Sequence, residues 1–344
     1  SARSVLVMPS SGKSTLLGLA RRTSPVRWSS VLSPEEPGTK WTLPTVNPGI
    51  LLYGLRMIDA PLGNTPMFRR WMLSARSWLA RADLALERAV AAAVAVFVVL
   101  GATSDDRRLA DHYRDTLAEA NRAHPDRFVA LATLPLQDPE AAVNEVNRAV
   151  TELGCRGIYL GTNIRGKEPT DPSFLPVFER IDALNMPIFL HPLNVIGAQR
   201  LTNYYLHNLL GNPFDTAVAA ANLIFSGLLD RFPKLQICLP HAGGAFPYLI
   251  GRLNRGWKVR DECKALKKAP SSYLRRFTYD TISHAPESLN YLIDLVGVDR
   301  VMLGSDYCFD MGYERPVKVV SVLKLSRADQ EKILSANAAR LLRL

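Results

Sequence analysis

Three short apolar runs in this chain end in side chains that carry lone pairs. Pro187-Ile188-Phe189-Leu190-His191 ends in an imidazole and Gln236-Ile237-Cys238-Leu239-Pro240-His241 in a second. Val301-Met302-Leu303-Gly304-Ser305-Asp306 ends in a carboxylate. Two imidazole nitrogens and a carboxylate oxygen suit Zn²⁺ or a similar divalent ion. Taken singly, a histidine at a strand end is more often a hydrogen-bonded structural residue, and Asp306 would merely cap a loop. The coincidence of all three argues otherwise. The remaining histidines, His112, His124, His207 and His284, fall in helices or loops, so the placement is selective.

For these residues to meet, their strands must lie side by side and point the same way. Gaps of 50 and 65 residues separate the three endings, room each time for one or two helices and a strand. The run Ala93–Leu100 opens a steady alternation with helical stretches. It continues through Phe128–Pro135, Cys155–Gly161, Pro187–His191, Gln236–His241, Phe277–Thr281 and Val301–Asp306. Near-continuous apolar character suits parallel strands covered on both faces. Val5–Pro9 is the expected eighth. The spacing therefore predicts a (β/α)8 TIM barrel, with an open doubly wound sheet as the structural runner-up. In a parallel barrel, functional side chains project from the carboxyl ends of strands.

Helix signals sit where that scheme needs them. Asp138-Pro139-Glu140 provides an N-cap, a proline at the first helical position and an early acid, followed by Val143, Val146, Val150 and Leu153 at helical spacing. Ser326 with Asp329 reads as a capping box before the last helix. Residues 213–230 are apolar almost all round, as in a helix buried between the barrel and a neighbour. The stretch 10–92 breaks the rhythm. Residues 25–50 read as a loop or hairpin insertion, and Pro66–Ala92 as a basic amphipathic helix.

The 344 residues are taken as one domain, 47% hydrophobic, 22% charged and of net charge +10. The first 90 residues hold 12 Lys/Arg against 5 Asp/Glu, read as a solvated surface because no nucleic-acid-binding motif accompanies them. The apolar run Ala89–Leu100 is shorter than the roughly 20 residues a membrane span requires. Cys155, Cys238, Cys263 and Cys308 include no CxxC pair, which fits a reducing, cytoplasmic setting. Ser10-Ser11-Gly12-Lys13-Ser14-Thr15 after Val5-Leu6-Val7 suggests a phosphate loop. However, the first required glycine falls at Val7, and Pro9 stiffens the turn.

Several segments are similar to the amidohydrolase-related (amidohydrolase 2) decarboxylases typified by aminocarboxymuconate-semialdehyde decarboxylase. They are Phe189-Leu190-His191-Pro192, Gly211-Asn212-Pro213-Phe214-Asp215-Thr216, Leu239–Tyr248, Leu303-Gly304-Ser305-Asp306-Tyr307 and the ending Asn337-Ala338-Ala339-Arg340-Leu341-Leu342. The resemblance runs from about residue 105 to the C-terminus. It implies a barrel of the metal-dependent hydrolase type with an N-terminal insertion. It also implies a divalent metal, zinc first and manganese second, held by His191 and Asp306. His241 becomes the acid/base residue, with Asp306 helping to orient water. Arg252 becomes the group that holds a small carboxylate substrate, often for the neighbouring subunit of a homodimer. The expected activity is decarboxylation of a small unsaturated or aromatic acid. The resemblance also implies a His-x-His ligand pair at the end of strand one, yet this chain has no histidine before His112. Hydrolysis on the same site, or a catalytically inactive barrel, are the competing readings.

Overall fold

The computed structural model describes residues 128–306, 311–313 and 315–344, the backbone of 51–52 and 94–95, and positions 118, 121, 122, 125 and 126. Short strands alternate with helices throughout: β1 (Leu51–Leu52), β2 (Val94–Ala95), β3 (Leu131–Thr133), β4 (Gly157–Gly161), β5 (Ile188–His191), β6 (Ile237–Leu239), β7 (Phe277–Asp280) and β8 (Val301–Met302). The six from β3 to β8 form one sheet in chain order, and every pairing is parallel. β1 and β2 form a separate parallel pair. Consecutive parallel strands joined by helices in chain order are the architecture of a (β/α)8 barrel. The strand paired with β2 is Leu51–Leu52, inside the divergent 10–92 stretch and between the expected loop and helix, where no strand was expected. Val5–Pro9 and the rest of the insertion lie outside the described residues.

Strand periodicity sorts the side chains into two cores. Leu131, Tyr159, Phe189, Cys238 and Met302 pack together in the lumen with Val129 and Ile282, closed off by Ala338, Leu341 and Leu342 of the last helix. Their neighbours Ala132, Ile158, Leu160, Ile188, Leu190, Ile237, Leu239, Phe277, Tyr279 and Val301 face the helices in the larger cluster. Successive side chains on a strand point to opposite faces, so inward positions recur every second residue. Gly157 keeps that lumen open: a Cβ there would stand 2.7 Å from Leu131 Cδ2 and 3.2 Å from Phe189 Cε2.

The helices are α1 (Pro139–Thr151), α2 (Leu175–Ala183), α3 (Asn212–Phe225), α4 (Leu228–Arg231), α5 (Phe246–Val259), α6 (Pro286–Val296), α7 (Pro316–Ser321), α8 (Arg327–Glu331) and α9 (Asn337–Leu342). Asp138 caps α1 by accepting from the Ala141 N–H at 3.1 Å. The fully buried stripe beyond it is Ala142, Val146, Ala149 and Leu153, with Val143 and Val150 packed at its edge. The apolar stretch 213–230 divides into α3 and α4 at Gly227, whose φ of +73° an L side chain rarely adopts. Ser326 caps α8, taking the Asp329 N–H at 3.1 Å and donating its hydroxyl to Asp329 at 2.9 Å. No helix among the described residues is long and apolar enough to cross a membrane.

The C-terminal segment fastens the strand that leads to Asp306. Between α8 and α9 the backbone widens into a π-turn, Lys332–Ala336, and the Ile333 carbonyl accepts the Leu303 N–H at 2.9 Å. Asn337, 1% exposed, donates through Nδ2 to the carbonyls of Val298 at 2.9 Å and Val301 at 2.8 Å. Removing a buried donor from two such acceptors costs on the order of 2–4 kcal/mol. We expect Asn337→Ala to lower the urea unfolding free energy by about that amount. A loss below about 1 kcal/mol, within the range of an ordinary hydrogen bond, would show that the clamp contributes little.

Candidate metal centre

His191 is the last residue of β5 and keeps the inward parity of Phe189 two residues before it. Asp306 keeps the parity of Met302, but it lies beyond β8 in a left-handed conformation with φ +53°. His241 does not keep parity. With Cys238 inward and Leu239 outward, strict alternation turns Pro240 in and His241 away from the lumen. A left-handed turn brings it back. His241, Ala242, Gly243 and Gly244 all have positive φ, at +54°, +55°, +81° and +57°. For the two that carry a Cβ this costs on the order of 1–2 kcal/mol each. Such strain persists only where the surroundings over-determine it.

The result is convergence. One nitrogen of His191, one nitrogen of His241 and one carboxylate oxygen of Asp306 all lie within 4.8 Å of one another. The two imidazole rings meet edge to face at 5.2 Å and 65°. Ligands bonded at about 2.2 Å to one ion stand no more than about 4.4 Å apart, so a shared cation fits to within a fraction of an ångström. His191 and Asp306 are buried, 7% and 5% exposed. Burial holds the His241 imidazole well below its usual pKa, with the charges of His191 and His284 adding to the effect. It therefore stays neutral and keeps a lone pair, the form that binds a metal. Its Nδ1 is buried with no hydrogen-bond partner among the described residues. The residues present fit a divalent cation.

Beneath this cluster lies Tyr159 of β4, fully buried and stacked on His191 with ring centroids 6.1 Å apart. Burial first and Asp306 second push its phenol well above the usual range, so it remains a proton donor. Asp215 of α3 ties down the loop that leaves His191. It accepts from the Thr162 hydroxyl, from Asn163 Nδ2 at 3.3 Å and from the Ile196 N–H at 3.0 Å.

Arg252 stands apart: it is exposed on α5 and makes no ion pair among the described residues. Asp280 and His284 were missed. Asp280 ends β7 on the same rim as the other strand ends, but the run read from the sequence closes one residue later at Thr281, so the strand-end criterion passes over it. His284 lies four residues further on, in the loop before α6, where no periodic signal reaches. Tyr159 carries no signal beyond a polar group in an inward position.

Four likenesses bear on this geometry. The amidohydrolase family model matches residues 93–344. The chain is 36% identical over 239 residues to 2-amino-3-carboxymuconate-6-semialdehyde decarboxylase of Dictyostelium discoideum, covering 69% of this chain and 67% of that one. It superposes with TM-score 0.70 on 2,6-dihydroxybenzoate decarboxylase solved with 2,6-dihydroxybenzoate, at 27% identity over 87% of this chain and all (100%) of that one. It also superposes with TM-score 0.67 on 5-carboxyvanillate decarboxylase of Novosphingobium aromaticivorans, solved with manganese and 4-hydroxy-3-methoxy-5-nitrobenzoic acid. There the identity is 25%, over 81% of this chain and 90% of the other. With the family match spanning well over half of its length, the chain belongs to the amidohydrolase family and stands among that family's decarboxylases.

Proposed function

We propose that the chain is a divalent-metal carboxy-lyase that removes carbon dioxide from a small unsaturated or aromatic carboxylic acid. The observation that carries this reading is the meeting of His191, His241 and Asp306 within 4.8 Å, in a chain whose relatives are decarboxylases. His191 and Asp306 would hold the ion, and His241 would complete the set in the resting protein before it takes up its role with substrate. Zinc and manganese both accept this donor set. When bound, a divalent ion polarises the oxygens that reach it and lowers the pKa of a coordinated water to near neutrality.

The reaction replaces a C–CO₂⁻ bond with a C–H bond, so one proton must reach the carbon as carbon dioxide leaves. His241 is assigned that transfer. Its imidazole is held neutral, with one ring proton to give and one lone pair to receive. Asp306 would orient water beside the ion. Arg252 is assigned to the substrate carboxylate, for which a planar guanidinium fork is well shaped. Its exposure on α5 suits service to a neighbouring copy of the chain. Tyr248, one helical turn earlier on the same face, is 83% exposed; Leu209 and Leu210 just before α3 and Phe214 within it are 44%, 42% and 46% exposed. Ile196, Leu201, Leu206, Leu210, Phe214 and Leu253 line an apolar cavity of about 640 Å³ between those elements. A homodimer covering this face, in a reducing cytoplasm, completes the reading.

Three outcomes follow. Freshly purified protein should hold close to one equivalent of zinc or manganese by elemental analysis, and His191→Ala should lose it. Metal-free protein with no carbon dioxide released from any ring carboxylate offered would instead indicate a non-catalytic barrel. Arg252→Ala should raise KM by about 30-fold with kcat little changed, the loss of one charge-assisted contact of about 2 kcal/mol. Mixing Arg252→Ala with His241→Ala protein should restore part of the activity through mixed dimers. Absence of any restoration, or a strictly monomeric species in sedimentation, would confine Arg252 to its own chain.

A further inference from the structure

We infer that Asp280 is a positioning residue that turns His241 into the metal centre, an assignment that rests on His241 belonging to that centre. Asp280 is the last residue of β7, 0% exposed, and its carboxylate is enclosed by backbone amides. Oδ2 accepts from the His241 N–H at 3.0 Å. Oδ1 accepts from the Ala242 N–H at 2.7 Å and from the Ile282 N–H at 2.9 Å. Two successive amides converge on one carboxylate at a turn whose residues both have positive φ, so the backbone here grips an anion.

The turn is also closed by the Gly243 N–H on the Pro240 carbonyl at 2.9 Å and the Gly244 N–H on the His241 carbonyl at 2.8 Å, but neither bond reaches the amides of the two strained residues. His241 and Ala242 are not glycines, and strand alternation would send the imidazole away from the lumen. Gly243 and Gly244 complete the bend, Gly243 against the Tyr279 ring and Gly244 against the Pro213 backbone, but they follow the imidazole and do not aim it. Asp280 bonds the amides of the two strained residues themselves. An amide in its place keeps one acceptor and sets an NH₂ group against an N–H. Asp280→Asn thus removes the grip while keeping the shape.

The test uses manganese binding and amide exchange in the full chain, with metal stripped by a chelator and Mn²⁺ then titrated back. Relative to the unmodified protein, Asp280→Asn should bind Mn²⁺ about 10- to 100-fold more weakly, the scale of losing a residue that orients a ligand. Affinity within twofold of the unmodified protein overturns the assignment. Adding Ala242→Gly to Asp280→Asn should recover part of the loss, because glycine adopts the left-handed turn without a carboxylate to hold it. No recovery means that Asp280 serves general stability alone. Hydrogen exchange gives a reading that needs neither metal nor a variant that folds. In the unmodified protein the His241 and Ala242 amides should exchange as slowly as those within β7, and fast exchange overturns the inference. Should the unmodified protein take up no Mn²⁺ while those amides are slow, the metal reading fails and the grip of Asp280 on the turn stands.

Discussion

The carboxyl end of β7 braces the site from the middle. Its neighbours in the sheet are β6 and β8, the strands that lead to His241 and Asp306. Those two are the site residues with positive φ, whereas His191, still within its strand, has none. Asp280 holds the amides of the turn at His241, and Thr281 exchanges hydrogen bonds with Gly304 on the way to Asp306, accepting its N–H at 3.0 Å and donating to its carbonyl at 3.3 Å. Each residue that must leave its strand and bend back is thus fastened to consecutive residues of one neighbour. The Tyr313 N–H, bonded to the Ser305 carbonyl at 2.8 Å, adds a second tie beside Asp306. Strain on two sides is balanced against hydrogen bonds from one place, and that keeps three lone-pair donors crowded together where little water reaches.

Much of this was legible in the chain. Apolar runs of five to eight residues at regular intervals marked six strands of the main sheet, because parallel strands are covered on both faces and so lack the alternation that hides register. His191, His241 and Asp306 were legible for a related reason: each closes a largely apolar run with an imidazole or carboxylate at its carboxyl end. Leu51–Leu52 was not, since two leucines in a Pro- and Gly-rich stretch carry no period. Asp280 escaped because Phe277–Thr281 mixes polar and apolar residues, so its carboxylate did not stand out against the run. The twist that brings His241 inward is beyond any pattern of residue types. It depends on a carboxylate about 40 residues away in sequence, and sequence periodicity describes only neighbours.

Burial sets the chemistry that these residues can perform. Withdrawing an imidazole from water disfavours its cation, and a second imidazole alongside disfavours it further, so His241 is depressed by both effects. The same withdrawal keeps the Tyr159 phenol protonated, and the Asp306 charge reinforces it. A pocket that refuses positive charge on its own side chains, yet holds a carboxylate among them, is matched to a cation from outside. Metal affinity rises when ligands need not first lose a proton, and here the imidazole does not.

The outer face imposes a different constraint, one that links assembly to substrate. Tyr248 and Arg252 are four residues apart on α5, hence on one side of the helix, and both are exposed. Any partner that buries the tyrosine also covers the guanidinium. Burying an apolar ring is favourable, but covering a guanidinium without an anion is costly. The two demands are reconciled if the cover presents a carboxylate to Arg252, either its own or that of a substrate seated in its site. In the proposed dimer the second choice applies, so the apolar contact that joins the copies also strips water from the arginine. A guanidinium already desolvated by assembly binds a carboxylate more tightly than one in open solvent, because less water must be displaced when the substrate arrives.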